Sequence, residues 1–184
     1  MNTGKVLYHV ICAAGPAADA IRLVQGAVER GWQVCVIATP SAASGGFIDA
    51  DALESASGRP VRYDWRRVGE DKRNPPADAL IVAPMTMNTA NKWAAGFADT
   101  YALGLLCEAT GLGLPTVALP FWSTTLQNHP ATQRSINTLR SAGVRILHGP
   151  GEWTPHAPGT GGQQVPHYPW SMALDAMESL TPQT

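Results

Sequence analysis

The sequence predicts an α/β fold, a Rossmann-like three-layer sandwich with a mainly parallel sheet. Three observations carry this. First, apolar runs at residues 5–13, 33–39, 78–84, 115–120 and 144–148 have the length of strands. They lack the alternation of a half-exposed sheet, so both of their faces need cover. Second, helical stretches separate these runs, which is the order of βαβ units. Third, Gly31 and Gly143 stand just before a strand run, where a glycine closes the preceding helix.

Taken in order, residues 5–13 form the first strand and end at Ala14-Gly15-Pro16. Pro16 suits the first turn of a helix. Ile21, Val24 and Val28 give that helix, over 17–31, an apolar face. Residues 33–39 are the second strand, and Ser41 to Gly46 a loop of small residues. Residues 47–58 read as a short helix and 60–65 as a short strand. The charged stretch 66–76 ends in two prolines and reads as a surface loop. Residues 78–84 are the third strong strand, followed by helices over 88–97 and 99–112. A strand at 115–120, a helix at 130–143 and a last strand at 144–148 complete the alternation. Residues 149–169 are rich in Pro and Gly and have no period. Residues 170–180 close the chain as a helix. No repeat or linker divides residues 1–184, so a single domain is expected.

Composition narrows the function. The net charge is −1, which suggests no broad basic face for nucleic acid. No apolar run approaches the roughly 18 residues that cross a membrane. Residues 1–15, with a short run interrupted by His9, read as a strand rather than a signal peptide. Cys12, Cys35 and Cys107 are far apart in apolar runs, with no metal-ligand spacing. They are expected to be buried thiols of a cytoplasmic protein, and no metal site is expected.

In a parallel sheet, ligands bind beyond the C-terminal strand ends, where helix N-termini offer free N–H groups. The loops that matter are therefore 14–18, 39–47, 84–91 and 120–130. The first, AGPAA, has little side-chain bulk, but it is not the GxGxxG fingerprint. There is no P-loop and no GxSxG elbow either. Thr39, Ser41 and Ser44 offer hydroxyls that would either cradle a phosphate without lysine or cap a helix. Thr86, Asn88, Thr89 and Asn91 crowd the third loop. One of them suffices as a cap, and the others point to a ligand.

The run 84-PMTMNTANKWAAGFADT-100 resembles the PASANT motif of the homo-oligomeric flavin-containing cysteine decarboxylases, which include phosphopantothenoylcysteine decarboxylase and the decarboxylases of lantibiotic-like peptides. Pro84, Thr86, Asn88, Thr89, Lys92, Ala95, Gly96 and Asp99 fall on the motif. The openings VICAAGPAADAI and TPSAASGGFI, and residues 129–147, are similar to the family's. The resemblance implies FMN, bound in homotrimers or assemblies of trimers whose interfaces complete the sites. It puts Gly15 and Pro16 near the flavin phosphate or ring, Thr39 and Ser41 on the phosphate, and Phe47 close by. Met85, Thr86 and Asn88 would border the ring, with Asn88 on the substrate side.

Two positions depart from the family. Glu70 stands where the family carries its catalytic histidine. A carboxylate, with a reference pKa of about 4.3, is a weak base for a thiol at about 8.5. In 120-PFWSTTLQNHP-130, Ser123 replaces the asparagine that grips the substrate carboxylate. Phe121, Trp122 and Thr124 suggest a more aromatic pocket, and Trp122 suits an interface equally well. His129 is read as a cap, and also as an acid or base beside the pocket. Residues 149–169, with Trp153, His156, His167 and Tyr168 in them, stand where the family has a substrate flap, though the histidines read as solvated. The expectation is an FMN-binding flavoprotein acting by flavin redox chemistry on a small molecule or peptide C-terminus, with ordinary cysteine decarboxylation lost or altered. The alternatives are a non-catalytic flavin-binding or regulatory subunit and a flavin prenyltransferase-like transferase.

Overall fold

The computed structural model describes residues 4–69 and 74–181. Five strands form one all-parallel sheet: β1 (Val6–Ile11), β2 (Gln33–Ala38), β3 (Ala79–Met85), β4 (Thr116–Pro120) and β5 (Arg145–Ile146). Their spatial order is β2-β1-β3-β4-β5. Every residue of β1, β3 and β4 is buried, as unbroken apolar runs require when both faces are covered.

The covers come from helices α1 (Ile21–Glu29), α3 (Ala50–Ser57) and α9 (Trp170–Leu180) on one face. Helices α4 (Met87–Ala94), α5 (Tyr101–Leu112) and α7 (Pro130–Ser141) cover the other. Side chains of one strand alternate between the two layers. Leu7 and Ile11 enter the core under α1 and α9, while Val6, Tyr8 and Val10 enter the core under α4, α5 and α7. Thr86 caps α4 and Thr100 caps α5. Gly113, at φ 65°, turns the chain out of α5 in a conformation that L side chains resist.

Several expectations change. Residues 60–65 form no strand. Arg62 makes one parallel bridge to Ile37, and the chain then turns away because Trp65 packs edge-on to Tyr101 at 5.4 Å. The expected loop at Ser41 to Gly46 holds helix α2 (Pro40–Ser44), started by the Thr39 cap and Pro40 in its first turn. Ser44 caps nothing; its hydroxyl donates to the Pro40 carbonyl, and Asp49 caps α3. Helix α1 starts at Ile21, later than expected, because residues Gly15–Asp19 wind as a 3-10 turn. The strand at 144–148 shortens to two residues. Residues 149–169 are not structureless. They hold α8 (Gly161–Gln164) and a 3-10 turn at Val165–His167, and α6 (Thr124–Gln127) precedes them. No helix among the described residues is long and apolar enough to cross a membrane.

Candidate functional site

The chain runs from β1 to β2 on one side, then crosses back to β3 on the other. The loops after β1 and β3 therefore part in opposite directions and leave a crevice, the topological switch point where doubly wound sheets bind ligands. A cleft of about 840 Å³ opens there, within the usual range for small-molecule sites.

Four segments build it. From β1 come Ala13, Ala14 and Gly15; from β3 and α4 come Thr86, Asn88 and Asn91. Phe121, Trp122 and Ser123 follow β4, and His156 and Gly159 close the far wall. The segments are tied by backbone hydrogen bonds. Cys12 N–H donates to the Pro84 carbonyl at 3.1 Å and Phe121 N–H to the Met85 carbonyl at 2.9 Å. Thr124 N–H donates to the His156 carbonyl at 2.8 Å.

The sequence-predicted residues divide. Gly15, Thr86, Asn88 and Ser123 line the cleft. Thr86 Oγ1 also accepts from Thr89 N–H and donates to Thr89 Oγ1 at 3.1 Å, and Cys12 Sγ donates to the same Thr89 hydroxyl. Ser123 caps α6, accepting from Leu126 N–H. Pro16 is buried in the 3-10 turn. Met85 is fully buried in the core beneath α4 and does not reach the cleft wall. Thr39, Ser41 and Phe47 sit beyond β1, at the end of edge strand β2, outside the cleft lining. His129 caps α7, its Nδ1 accepting from Ala131 N–H at 3.1 Å, and it lies outside the lining too. Glu70 lies outside the described residues.

Of two further lining residues, the sequence reading named Asn91 only as one of four polar groups in its loop, and gave His156 no ligand role. Asn91 stands one turn after Asn88 on α4, so its place on the cleft side was legible from helical spacing. Its Oδ1 is buried and has no hydrogen-bond partner, a cost the fold carries until a donor arrives. His156 has no local signal; only the packing of residues 149–169 onto β4 brings it in. Its ring lies 5.0 Å from Phe121, and Phe121 in turn stacks on Trp153 at 6.2 Å.

Electrostatically the cleft is nearly empty. No Lys, Arg, Asp or Glu is among its described lining residues, and Lys92 of the motif is paired with Asp99. Burial pushes the Cys12 thiol up, against the hydrogen bonds from Thr89 and Thr86 that favour its thiolate. Among the described residues no group of three or more His, Cys, Asp or Glu could hold a metal. A second cavity of about 410 Å³ lies between α5 and residues 62–66 and 74–77, near Leu80 at the opposite end of β3, away from the switch point. A partly aromatic crevice with amide and hydroxyl side chains and no Lys, Arg, Asp or Glu among its described lining residues fits a planar, mostly apolar ring such as the isoalloxazine of a flavin.

Comparison with known proteins shows the family and the fold. The sequence profile of the family described as Flavoprotein matches residues 1–164. The coenzyme A biosynthesis bifunctional protein CoaBC of Mycolicibacterium smegmatis is 32% identical over 151 residues, covering 80% of this chain and 35% of that protein. The chain thus spans about a third of the length of this curated relative. Among solved structures, the FMN-dependent cysteine decarboxylase TvaF from thioviridamide biosynthesis superposes with a TM-score of 0.68 at 19% identity, covering 94% of this chain and 98% of that one. The FMN-binding protein AtHal3 gives 0.66 at 20% identity, covering 95% and 97%. At these identities the likeness is one of fold.

Proposed function

The chain belongs to the flavoprotein family, and from that premise we propose that it binds FMN at the switch-point cleft and uses it for redox chemistry on a thiol-bearing small molecule or peptide C-terminus. The observation that carries the reading is the cleft itself: a crevice between the β1 and β3 loops whose described lining holds no Lys, Arg, Asp or Glu, with Asn88 and Asn91 among its lining residues. Bound there, the flavin supplies the electron-accepting centre. In this reading Gly15, Thr86, Asn88 and Asn91 border the ring, with Pro16 and Met85 behind it. Thr39 and Ser41, with Phe47 close by, hold the phosphate at the end of β2. FMN-dependent cysteine decarboxylases among the structural neighbours support the choice of cofactor and of a thiol substrate.

The proposed assembly is a cytoplasmic homotrimer or a set of trimers. Phe97 and Leu112, 54% and 67% exposed, offer apolar surface for it. Ordinary cysteine decarboxylation is proposed to be lost or altered, because Ser123 replaces the asparagine that grips the carboxylate. A non-catalytic flavin-binding subunit is the second reading, favoured by the commitment of the Ser123 hydroxyl to capping α6. A transferase acting on a prenyl diphosphate is disfavoured, since the described cleft lining offers no Lys or Arg to a second phosphate.

Purified protein incubated with FMN and desalted should stay yellow, with the absorbance of bound flavin. A colourless product after desalting overturns the cofactor reading. Release of CO₂ from a peptide ending in Cys then separates the alternatives. Rapid release would overturn the proposed loss of ordinary decarboxylation, and no oxidation of any thiol would favour the non-catalytic subunit.

A further inference from the structure

We infer that His156 is the proton-transfer group of the cleft, taking the proton of a substrate thiol at its Nε2 atom. The inference rests on the reading that a thiol-bearing substrate enters this cleft. It assigns a base to a site whose motif offers none.

Among the described residues lining the cleft, His156 is the only one with an ionisable side chain. The other histidines are engaged or elsewhere. His9 is fully buried in β1 beneath α9. His129 Nδ1 is committed to capping α7. His148 packs near Trp122 with Nδ1 buried, and His167 lies in the 3-10 turn outside the lining.

The geometry of His156 then sets its tautomer. Nδ1 lies 2.9 Å from the Ala157 carbonyl oxygen. A carbonyl oxygen only accepts, so Nδ1 carries the hydrogen in the neutral ring and the lone pair sits on Nε2. The same Ala157 oxygen accepts from the Thr160 hydroxyl and N–H, which fixes it in place. The ring is held against Phe121 and against Gly161, where a Cβ would stand 3.0 Å from Cε1 and 3.1 Å from Nε2. The backbone is held by a parallel bridge to Ser123 and by the bond from Thr124 N–H. A base fixed at both backbone and ring is what proton transfer in a defined direction needs.

The step balances simply. The substrate S–H bond breaks, its electron pair stays on sulfur, and Nε2–H forms. Nδ1–H keeps its bond to Ala157 throughout. In water the transfer is uphill by about two pKa units, from imidazole at about 6.5 to a thiol at about 8.5. In a cleft with no other charge among its described lining residues, nothing competes with the attraction between thiolate and imidazolium, the effect that lowers thiol pKa in Cys–His pairs.

The test uses protein with ¹³C-labelled histidine, supplemented with reduced FMN so that no turnover consumes the thiol. At pH 8 a tripeptide amide ending in Cys is added to several millimolar, and the Cε1 resonance of His156 is followed by NMR. The expected result is a shift toward the imidazolium position, with no such shift for the same peptide ending in Ser. A His156 resonance that stays put with the Cys peptide overturns the inference. A protein that fails to retain FMN but still shows the shift sinks the cofactor reading alone. As a second arm, His156→Gln should lower the rate of thiol oxidation about 10²–10⁴-fold and recover in part with added imidazole, while His167→Gln stays near wild type. An unchanged rate in His156→Gln also overturns it.

Discussion

Gly15 meets Val165 at the rim of the cleft with no space for a side chain between them: a Cβ on Gly15 would lie 2.9 Å from Val165 Cγ2 and 3.3 Å from Phe121 Cε1. The chain folds residues 149–169 down onto the β1 loop only because position 15 is bare. Gly15→Ala should push that segment outward and weaken FMN retention about tenfold, at a stability cost of about 1 kcal/mol. Val165→Ala removes the clashing methyl. The double variant should therefore recover most of the loss, with a coupling of about 1 kcal/mol by equilibrium dialysis. Simple addition of the two single effects would mean that Val165 is no part of the seat.

The other end of the segment is tethered by Tyr168, whose hydroxyl donates to the Leu119 carbonyl at 2.6 Å in the buried core. Its ring packs against Phe121, Trp153 and Trp170 at 4.8 to 5.7 Å. Tyr168→Phe keeps the ring contacts and deletes one hydrogen bond, leaving a buried acceptor at a cost of about 1–3 kcal/mol. Thermal unfolding should fall by roughly 3–10 °C. Amide exchange should rise more in residues 149–168 than in β1. A uniform rise would make Tyr168 a general core residue rather than a tether.

Legibility from sequence followed the physics of each element. The strands were plain because β1, β3 and β4 are buried along their whole length, and burial on two faces leaves an unbroken apolar run. Residues 60–65 misled because β propensity says nothing about a partner. Tyr63 and Trp65 stay about half exposed, and Trp65 leaves the edge of β2 for Tyr101. The α2 turn was written in Thr39-Pro40, a cap followed by a first-turn proline, but the small residues after it read as loop. The motif loops were legible because too many polar side chains follow β3 for capping alone. His156 was not, since its place depends on a bridge to Ser123 across 33 residues of chain.

His9 gives the fold a pH dependence. It is fully buried, its Nε2 donates to the Ala83 carbonyl at 2.7 Å, and Nδ1 has no partner. Burial, the dominant cause, pulls its pKa down to about 4 from 6.5, against the hydrogen bond to Ala83, which raises it. Between those values the unfolded chain binds the proton and the folded chain does not, so folding is favoured above pH 6.5 and loses ground as pH falls toward 4. At about 1.4 kcal/mol per pH unit, the loss over the window is about 3 kcal/mol. His148, also lowered by burial, acts in the same direction. Urea unfolding from pH 4 to 7.5 should show this slope, and His9→Gln should flatten most of it. An equally steep profile in the variant would assign the dependence to other groups.

Asn91 separates ligand binding from folding. Asn91 lines the cleft and its Oδ1 is buried without a donor, so the fold bears the desolvation cost of an unsatisfied acceptor, about 1–3 kcal/mol. Leu has the same branched outline, with larger methyl groups, and no such oxygen. Asn91→Leu should therefore leave the flavin-free protein as stable as wild type or more stable, by up to about 2 kcal/mol in urea unfolding. With FMN the order should reverse. With the amide gone from the cleft lining, affinity should drop at least tenfold, about 1.4 kcal/mol. Residues chosen for packing lose stability when truncated or swapped, whereas residues chosen for a ligand show the opposite sign in its absence. A variant that unfolds more easily yet holds FMN as tightly as wild type would place Asn91 with the fold and leave the orphaned oxygen without a ligand.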